Sequence, residues 1–315
     1  MEALLSVAFD NLSSFDGLKI KKGLKLVEGL LAQICLSRPT SSTKSPTKKP
    51  SSASQDENSP KPKTLPNLCQ DPAFREFFKL QEGFEWNVAQ RLLTTLDRLV
   101  AKGGDGQNDL LILSALDLIQ GVLLLHPPSK ALLSRETYMN VRFCSLPFHP
   151  RPWSLTIFTT PQLLLDLIEP VNCPAIQCST LLTLVVALID TPANTRTFEA
   201  LDGLLAVTSL FRDRDTSRDV KVKLIEFLYF YLMPETPSIP SANPAAAGGL
   251  ERSPSKLAGV FGGGGGAERR EKEGDGKTRQ MGEKQRLLSQ FLPEDHVEQL
   301  VRDLRTSAPF GVVLL

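Results

Sequence analysis

The sequence predicts an all-α fold. In residues 179–233, hydrophobic side chains recur at the three- and four-residue steps of a helix, in three consecutive segments. Both turns between these segments carry helix-start signals, Pro192 in the first and Thr216 or Ser217 in the second. A third observation is a faint internal repeat of the same layout earlier in the chain. Together they indicate helices that pack on one another.

The first segment, 176–190, has almost no polar face. We therefore expect it to be a core helix, enclosed by protein on most sides. Asp190 or Thr191 can cap the next helix, and Pro192 suits a position where its missing N–H costs nothing. The apolar residues of this segment are Leu181, Leu182, Leu184, Val185, Val186, Leu188 and Ile189.

The next two predicted helices, 193–211 and 217–233, have an apolar side and a polar side. Their polar positions are candidate contacts for a binding partner, although any one of them could simply face water. These candidates are Asn194, Arg196, Glu199, Asp202, Lys221 and Lys223.

The repeat aligns residues 118–133 with 183–198 and matches Pro127 to Pro192. Its spacing is longer than the roughly 40–47 residues of common helical repeats. The Pro- and aromatic-rich stretch 142–160 accounts for the excess as an insertion. Because repeats of this kind bury their apolar faces only against each other, the pattern predicts an armadillo-like right-handed superhelix of stacked helices.

Further helices are expected along the remaining apolar segments. Near the C-terminus, Pro293 separates two short amphipathic helices whose apolar stripe could cover the end of the stack or dock on an earlier repeat. The complete prediction is 17–35, 72–81, 84–102, 108–125, 129–140, 162–169, 176–190, 193–211, 217–233, 285–292 and 294–306.

Two low-complexity stretches divide the chain. Residues 37–67 are dominated by Ser, Thr, Pro and Lys, and residues 234–284 contain five consecutive glycines and a run of mixed charge. Neither can offset the entropy of ordering, so both are predicted to be disordered linkers. The resulting units are an N-terminal helical segment 1–36, a helical core 68–233 and a C-terminal hairpin 285–315.

Composition excludes several classes of protein. The formal net charge of +1 and the lack of a basic stripe argue against nucleic-acid binding. Five cysteines without regular spacing favour a reducing compartment. No apolar run approaches the roughly 18 residues that span a bilayer. We therefore expect a soluble intracellular protein that does not insert into membranes.

No catalytic, cofactor or metal motif is found. Cys144 lacks the preceding His and the Arg six positions later that a phosphatase loop needs. The sequence at 276–278 imitates a phosphate-binding loop without its first glycine. The histidines, His126, His149 and His296, are widely separated, and Cys173 and Cys178 have no partner pair, so zinc is not expected.

Particular sequences resemble a known family. Residues 194–199 (NTRTFE), Gly203-Leu204 and 226–232 (EFLYFYL) are similar to the fungal cell division control protein fourteen family of the septation initiation network. Residues 1–35 and 285–311 share the similarity. This family has an armadillo-like fold and is distinct from the protein phosphatase of the same name, which agrees with the failed motif at Cys144.

The resemblance implies a non-catalytic subunit that binds a germinal-centre-type protein kinase and licenses septum formation at the spindle pole body. Two alternatives stay open: a general septum or cell-cycle adaptor without a dedicated kinase, and an unrecognised hydrolase whose site is assembled only in space. Two linker serines, Ser45 and Ser253, precede Pro in the Ser-Pro-x-Lys pattern of cyclin-dependent kinase sites. Phosphate there would add about −1.5 to −2 charges per site.

Overall fold

The structure is a computed structural model, and its described residues confirm the all-α prediction. They form helices and no strand, with one isolated antiparallel bridge between Leu36 and Pro62. The described ranges are 1–37, 61–102, 106–134, 163–235 and 278–307.

Most of the described chain is α-helical, and a 3₁₀ helix covers Pro127–Leu132. The α-helices are α1 Glu2–Leu12, α2 Gly17–Cys35, α3 Leu65–Gln70, α4 Pro72–Glu82, α5 Val88–Ala101, α6 Asp109–Leu125, α7 Leu163–Leu167, α8 Pro174–Leu188, α9 Pro192–Ala200, α10 Gly203–Arg212, α11 Arg218–Leu232, α12 Met281–Leu288 and α13 Glu294–Ser307.

The centre of the fold is a row of helices. Helices α5, α6, α8 and α11 lie in this order, each packed against the next, and α2 packs on α6 while α1 packs on α2. Leucines dominate the buried surface. The helices are stacked in a layer because each one is apolar on two sides and needs a neighbour on both.

Helix α8 is the core helix that the sequence predicted, with one correction. Its buried side chains include Leu181, Leu184 and Leu188. However, Leu182 is 50% exposed, and Ile189, which follows the helix, is 39% exposed. The segment is therefore open on one side, where these two residues line a groove.

The predicted helix starts are present. Pro192 is the first residue of α9, and Ser217 caps α11 by accepting a hydrogen bond from the Val220 N–H (3.4 Å). Thr191 is the N-cap residue of α9 but makes no side-chain cap bond. Asp190 instead turns the chain, with φ of 55°.

The internal repeat has a local structural counterpart. His126 (φ −130°, ψ 79°) and Thr191 (φ −134°, ψ 78°) have nearly the same backbone conformation, and each is followed by a proline that starts a helix. In both turns, the N–H three residues later donates to that residue's carbonyl at 3.0 Å. The insertion predicted at 142–160 lies outside the described residues.

The prediction of one continuous helix over 193–211 is wrong. Helix α9 ends at Ala200, and α10 begins at Gly203 after Asp202 adopts the left-handed conformation (φ 57°). A Cβ at Gly203 would lie 2.3 Å from the Phe198 ring. Because Gly203 has no side chain, the backbone at this break can approach the buried Phe198 ring closely.

Other predicted helices differ at their ends. Helix α5 starts at Val88, later than predicted, because Asn87 caps it by accepting from the Gln90 N–H (2.9 Å). In place of the α-helix predicted at 129–140, residues Pro127–Leu132 form a 3₁₀ helix, while 135–140 lie outside the described residues. The helix predicted at 285–292 is α12, and α1 and α3 were not predicted as separate helices.

The predicted linker boundaries also need correction. Lys61 and Lys63 bond back to the end of α2, through Ser37 N–H to Lys61 O and Lys63 N–H to Cys35 O, both 2.8 Å. Helix α3 then begins at Leu65, so the first linker ends before residue 67. In the second predicted linker, Glu235 and residues 278–284 belong to the described structure, and helix α12 already includes Met281 to Lys284. Residues 38–60 and 236–277, on which the disorder prediction rests, lie outside the described residues.

The C-terminal hairpin docks on the last helix of the row. Helices α12 and α13 pack against α11 and against each other. Leu288, Val297, Val301 and Leu304 are buried there. The sequence allowed two docking positions for this hairpin, the end of the stack and an earlier repeat. In the structure the hairpin covers the end of the stack.

Replacing Gly23 with alanine should push α1 away from α2. A Cβ at Gly23 would lie 2.9 Å from Leu12 N and 3.0 Å from Ala8 O, which are backbone atoms of α1 that cannot rotate away. We expect Gly23→Ala to lower the free energy of unfolding by about 1–3 kcal/mol, measured by urea denaturation. In the same helix, Gly29 has nothing within 4 Å of its Cβ position, so Gly29→Ala should stabilise by about 0.5–1 kcal/mol. Equal unfolding midpoints for the two variants would contradict this account.

Candidate protein-interaction site

Asn194 is not a surface residue, which corrects its selection as a partner contact. It is 0% exposed, and its Nδ2 donates to Ala187 O (2.7 Å) and Lys130 O (3.0 Å). Lys130 in turn donates from Nζ to Ile189 O (3.0 Å). These bonds hold the α8–α9 turn against the 3₁₀ helix. Asn194 therefore stabilises the contact between the two regions that the internal repeat aligns, 118–133 and 183–198.

Arg196 and Glu199 also point inward, into an ion cluster that we define as Arg196, Glu199, Glu235, Arg279 and Lys284. Glu199 Oε2 lies 3.0 Å from Arg196 Nη1 and 2.7 Å from Arg279 Nη1. Arg196 also pairs with Glu235. Both carboxylates are about nine-tenths buried. Three cations therefore share two buried carboxylates, and the cluster carries a formal charge of +1.

The remaining contacts of this ion cluster involve Tyr231 of α11 and the cluster's own Lys284 of α12. The Tyr231 hydroxyl donates to Glu199 Oε1 (2.8 Å). Lys284 Nζ donates to Met233 O (2.9 Å), lies 3.3 Å from Glu235 Oε1 and sits over the Tyr231 ring. The cluster thereby connects α9, the end of α11 and the start of α12.

Burial shifts the pKa of both Lys284 and Tyr231. Desolvation lowers the pKa of Lys284, an effect that the neighbouring Glu235 carboxylate opposes. Desolvation also raises the pKa of Tyr231, and the charge of Glu199 adds to the rise. Tyr231 is therefore a neutral hydrogen-bond donor to the Glu199 carboxylate.

Sequence reasoning missed three of the five residues of the ion cluster. Glu235, Arg279 and Lys284 were assigned to a linker because a run of charged residues normally faces water. Nothing in the sequence distinguishes these three charges from their exposed neighbours. The backbone shows their role: Glu235 N–H donates to Arg279 O (3.1 Å), and Arg279 N–H donates to the Glu235 carboxylate (2.9 Å).

The remaining three candidates are at the surface. Asp202 is exposed in the α9–α10 turn, Lys221 is half-buried, and Lys223 is exposed. Lys223 Nζ lies 2.7 Å from Glu226 Oε2 in an exposed ion pair. Both lysines lie on α11, but side chains two positions apart on a helix point to different sides, and Lys223 is the one on the side that faces α8.

An apolar groove of about 380 Å³ runs between α8 and α11. The α8–α9 turn closes one end, and the chain from Met233 to Glu235, with Lys284, forms another wall. Its volume and its mainly aliphatic and aromatic walls are both typical of sites that bind apolar groups. The residues that line it are Leu181, Leu182, Val185, Leu188, Ile189, Asp190, Thr191, Pro192, Thr195, Lys223, Glu226, Phe227, Phe230, Tyr231, Met233, Pro234, Glu235 and Lys284.

The described residues offer no group of three or more His, Cys, Asp or Glu that could hold a metal ion. Cys173 and Cys178 are free thiols in the ranges described. None of the helices in those ranges is long and apolar enough to cross a membrane. The walls of the groove are mainly apolar, so it can bind apolar side chains.

His126 is a buried packing residue. It is 2% exposed, its Nδ1 lies 2.8 Å from Ser129 Oγ, and its ring meets Phe78 edge-on at 4.5 Å. Burial lowers the pKa of His126 below its usual value of 6.5, although the charge of Glu82 acts in the opposite direction. The neutral ring is the form that the fold accommodates.

This burial predicts a pH dependence. Because the folded pKa lies below 6.5, the unfolded chain takes up the proton first as the pH falls, so stability is complete above about pH 7 and declines below pH 6.5. We expect the loss between pH 7.5 and 5.5, measured by urea denaturation, to be smaller in His126→Gln than in the wild type. The exposed His296 provides the control, since His296→Gln should keep the wild-type slope. Identical slopes in all three proteins would rule out His126 as the cause.

Several sequence-level features lie outside the described residues. These are Ser45 and Ser253, the predicted phosphorylation sites, together with Cys144, His149 and the stretch 276–277.

Comparison with known proteins gives two findings. A profile of the family described as "Cell division control protein 14, SIN component" matches residues 1–146 and 144–310. The chain is also 28% identical over 171 residues to the Cell division control protein 14 of Schizosaccharomyces pombe (strain 972), a match that covers 52% of this chain. The matched region spans 62% of that relative's length. No solved structure matches the chain.

Proposed function

Since this chain belongs to the Cell division control protein 14 family of SIN components, we propose that it is a non-catalytic subunit that binds a germinal-centre-type protein kinase in the septation initiation network. In this role it would control septum formation and cytokinesis. We place it in the cytoplasm and at the spindle pole body, which a fluorescent fusion observed through mitosis would test.

The observation that carries the proposal is the open apolar groove beside the row α6, α8 and α11. Exposed aliphatic side chains such as Leu182 and Ile189, at the edge of a stacked helical layer, are typical of surfaces that bind another polypeptide. An armadillo-like superhelix is the arrangement that we infer for this layer, since such stacks present extended binding surfaces.

The interface that we propose contains the surface residues of α11 and the α9–α10 turn. Lys221, Lys223 and Asp202 are accessible to a partner, whereas Asn194, Arg196 and Glu199 serve the interior of the fold. Charges at the rim of an interface steer association and select partners, and their replacement leaves the fold intact.

Charge reversal of both lysines should weaken kinase binding. We expect Lys221→Glu/Lys223→Glu to reduce the kinase recovered with a tagged chain by at least about tenfold, because a like-charge contact costs more than 1.4 kcal/mol. The matched control is Lys21→Glu/Lys25→Glu, which reverses two exposed lysines on α2. If both double variants retain the kinase equally, these lysines are not at the interface.

Mass spectrometry of the proteins retained by the tagged wild-type chain tests the kinase itself. A germinal-centre-type kinase as the main stoichiometric partner supports the proposal. Recovery of septum or cell-cycle proteins without such a kinase would instead favour a general adaptor.

A further inference from the structure

We propose that the groove between α8 and α11 is occupied by a segment of the same chain, Leu257–Phe261. The segment would occupy the same groove that the partner uses in the proposed function, so it would have to leave before the partner binds. The interaction itself needs no other protein and can be tested without the kinase.

The structure fixes both ends of the chain outside the described residues at the rim of this groove. Residues 236–277 leave from Glu235 and return at Thr278. Glu235 and Lys284 both line the groove, and Arg279 is held to Glu235 by two backbone-mediated hydrogen bonds of 3.1 and 2.9 Å. Any apolar group in residues 236–277 is thus tethered on both sides next to an apolar surface.

The two connecting stretches are long enough for residues 257–261 to reach the groove. An extended residue covers about 3.3 Å, so the stretches from Glu235 to Leu257 and from Phe261 to Arg279 can each cross the groove several times over. Because the segment and the groove belong to one chain, the contact is intramolecular, and its population does not depend on the protein concentration.

The composition of residues 236–277 points to one segment. Leu257, Val260 and Phe261 are three of their five bulky apolar side chains, and they are separated only by Ala258 and Gly259. The rest of the stretch is rich in Gly, Pro, Ser and charged residues. A compact uncharged run of this kind matches walls formed by Leu182, Ile189 and Phe230, and its burial would cover the exposed aliphatic surface.

Photo-cross-linking in the full chain tests the proposal. With Phe261→p-benzoylphenylalanine, ultraviolet light should join residue 261 to peptides of α8 or α11 within one chain. Adding Leu182→Glu should lower the yield by at least fivefold, because it places a charge in the groove at a half-exposed position. Leu205→Glu is the matched control, since Leu205 is 47% exposed on α10 and does not line the groove.

A second measurement keeps the test independent of the cross-linker. A labelled peptide of residues 254–263 should bind the full chain carrying Leu257→Ser/Phe261→Ser at least tenfold more tightly than it binds the wild type, whose groove is already filled. Adding Leu182→Glu to the double variant should abolish this binding.

Three results would overturn the proposal: cross-links that join two chains, cross-links to other helices, and equal peptide binding by the wild type and the double variant. None of these outcomes depends on kinase recovery, so a failure here is distinct from a failure of the proposed function.

Discussion

Replacing Glu199 with alanine is expected to lower the free energy of unfolding by about 3 kcal/mol. The change removes the carboxylate that Arg196, Arg279 and the Tyr231 hydroxyl share, and it leaves three cations with Glu235 alone. Leaving a buried charge without its partner costs more than the pair contributes. We take the lower end of the usual range because the two arginine side chains remain 24% and 28% exposed.

Urea denaturation measures this loss, and Glu226 supplies the control. Glu226 pairs with Lys223 at the surface, with about half of each side chain exposed, so Glu226→Ala should cost no more than about 0.5 kcal/mol. Hydrogen exchange should also show earlier opening of α12 in Glu199→Ala, since the ion cluster holds α12 to α9. A small effect of Glu199→Ala, equal to that of Glu226→Ala, would show that solvent screens the cluster.

Replacing Phe198 with alanine should have an effect of similar or larger size, about 3–5 kcal/mol. Phe198 is 0% exposed, packs against the Phe227 ring at 5.6 Å and lies directly over Gly203. Its removal leaves a cavity between α9, α10 and α11. The control is Phe84→Ala in the exposed α4–α5 turn, which should change stability by less than about 0.5 kcal/mol.

A double-mutant cycle makes this prediction sharper. Gly203→Ala alone should cost about 1–3 kcal/mol, because its Cβ would lie 2.3–2.7 Å from three atoms of the Phe198 ring. In the Phe198→Ala background the same substitution should cost almost nothing, since the ring is gone. Additive effects in the cycle would mean that Gly203 is required for another reason.

The two predictions concern residues that the sequence described in different ways. Phe198 belongs to the apolar side of the helix predicted at 193–211, and its burial confirms that this side packs. Glu199 was expected to face outward, because a charged residue on an amphipathic helix usually does. Periodicity identifies the side of a helix, but it does not show whether another element covers the polar side.

A pattern along one helix does not show which other elements cover it, and this also explains why the groove was not predicted. Leu182 and Ile189 were assigned to an enclosed helix, since a helix that is apolar all round is normally buried. The structure leaves them open because the next helix in the row, α11, covers only part of α8. The candidate site was therefore missed as a site, although five of its residues were identified as apolar residues of one helix: Leu181, Leu182, Val185, Leu188 and Ile189.

The sequence alone determined the local properties of this protein: the all-α class, the helix starts at Pro192 and at Thr216 or Ser217, the apolar faces, and the family to which it belongs. These depend on residues close together in the chain, whose capping and spacing follow local rules. Only the tertiary structure decided that Glu235, Arg279 and Lys284 join Glu199, that the hairpin docks on α11, and that a groove stays open. Those results depend on contacts between residues far apart in the chain, and desolvation, which no local pattern records, sets their energies.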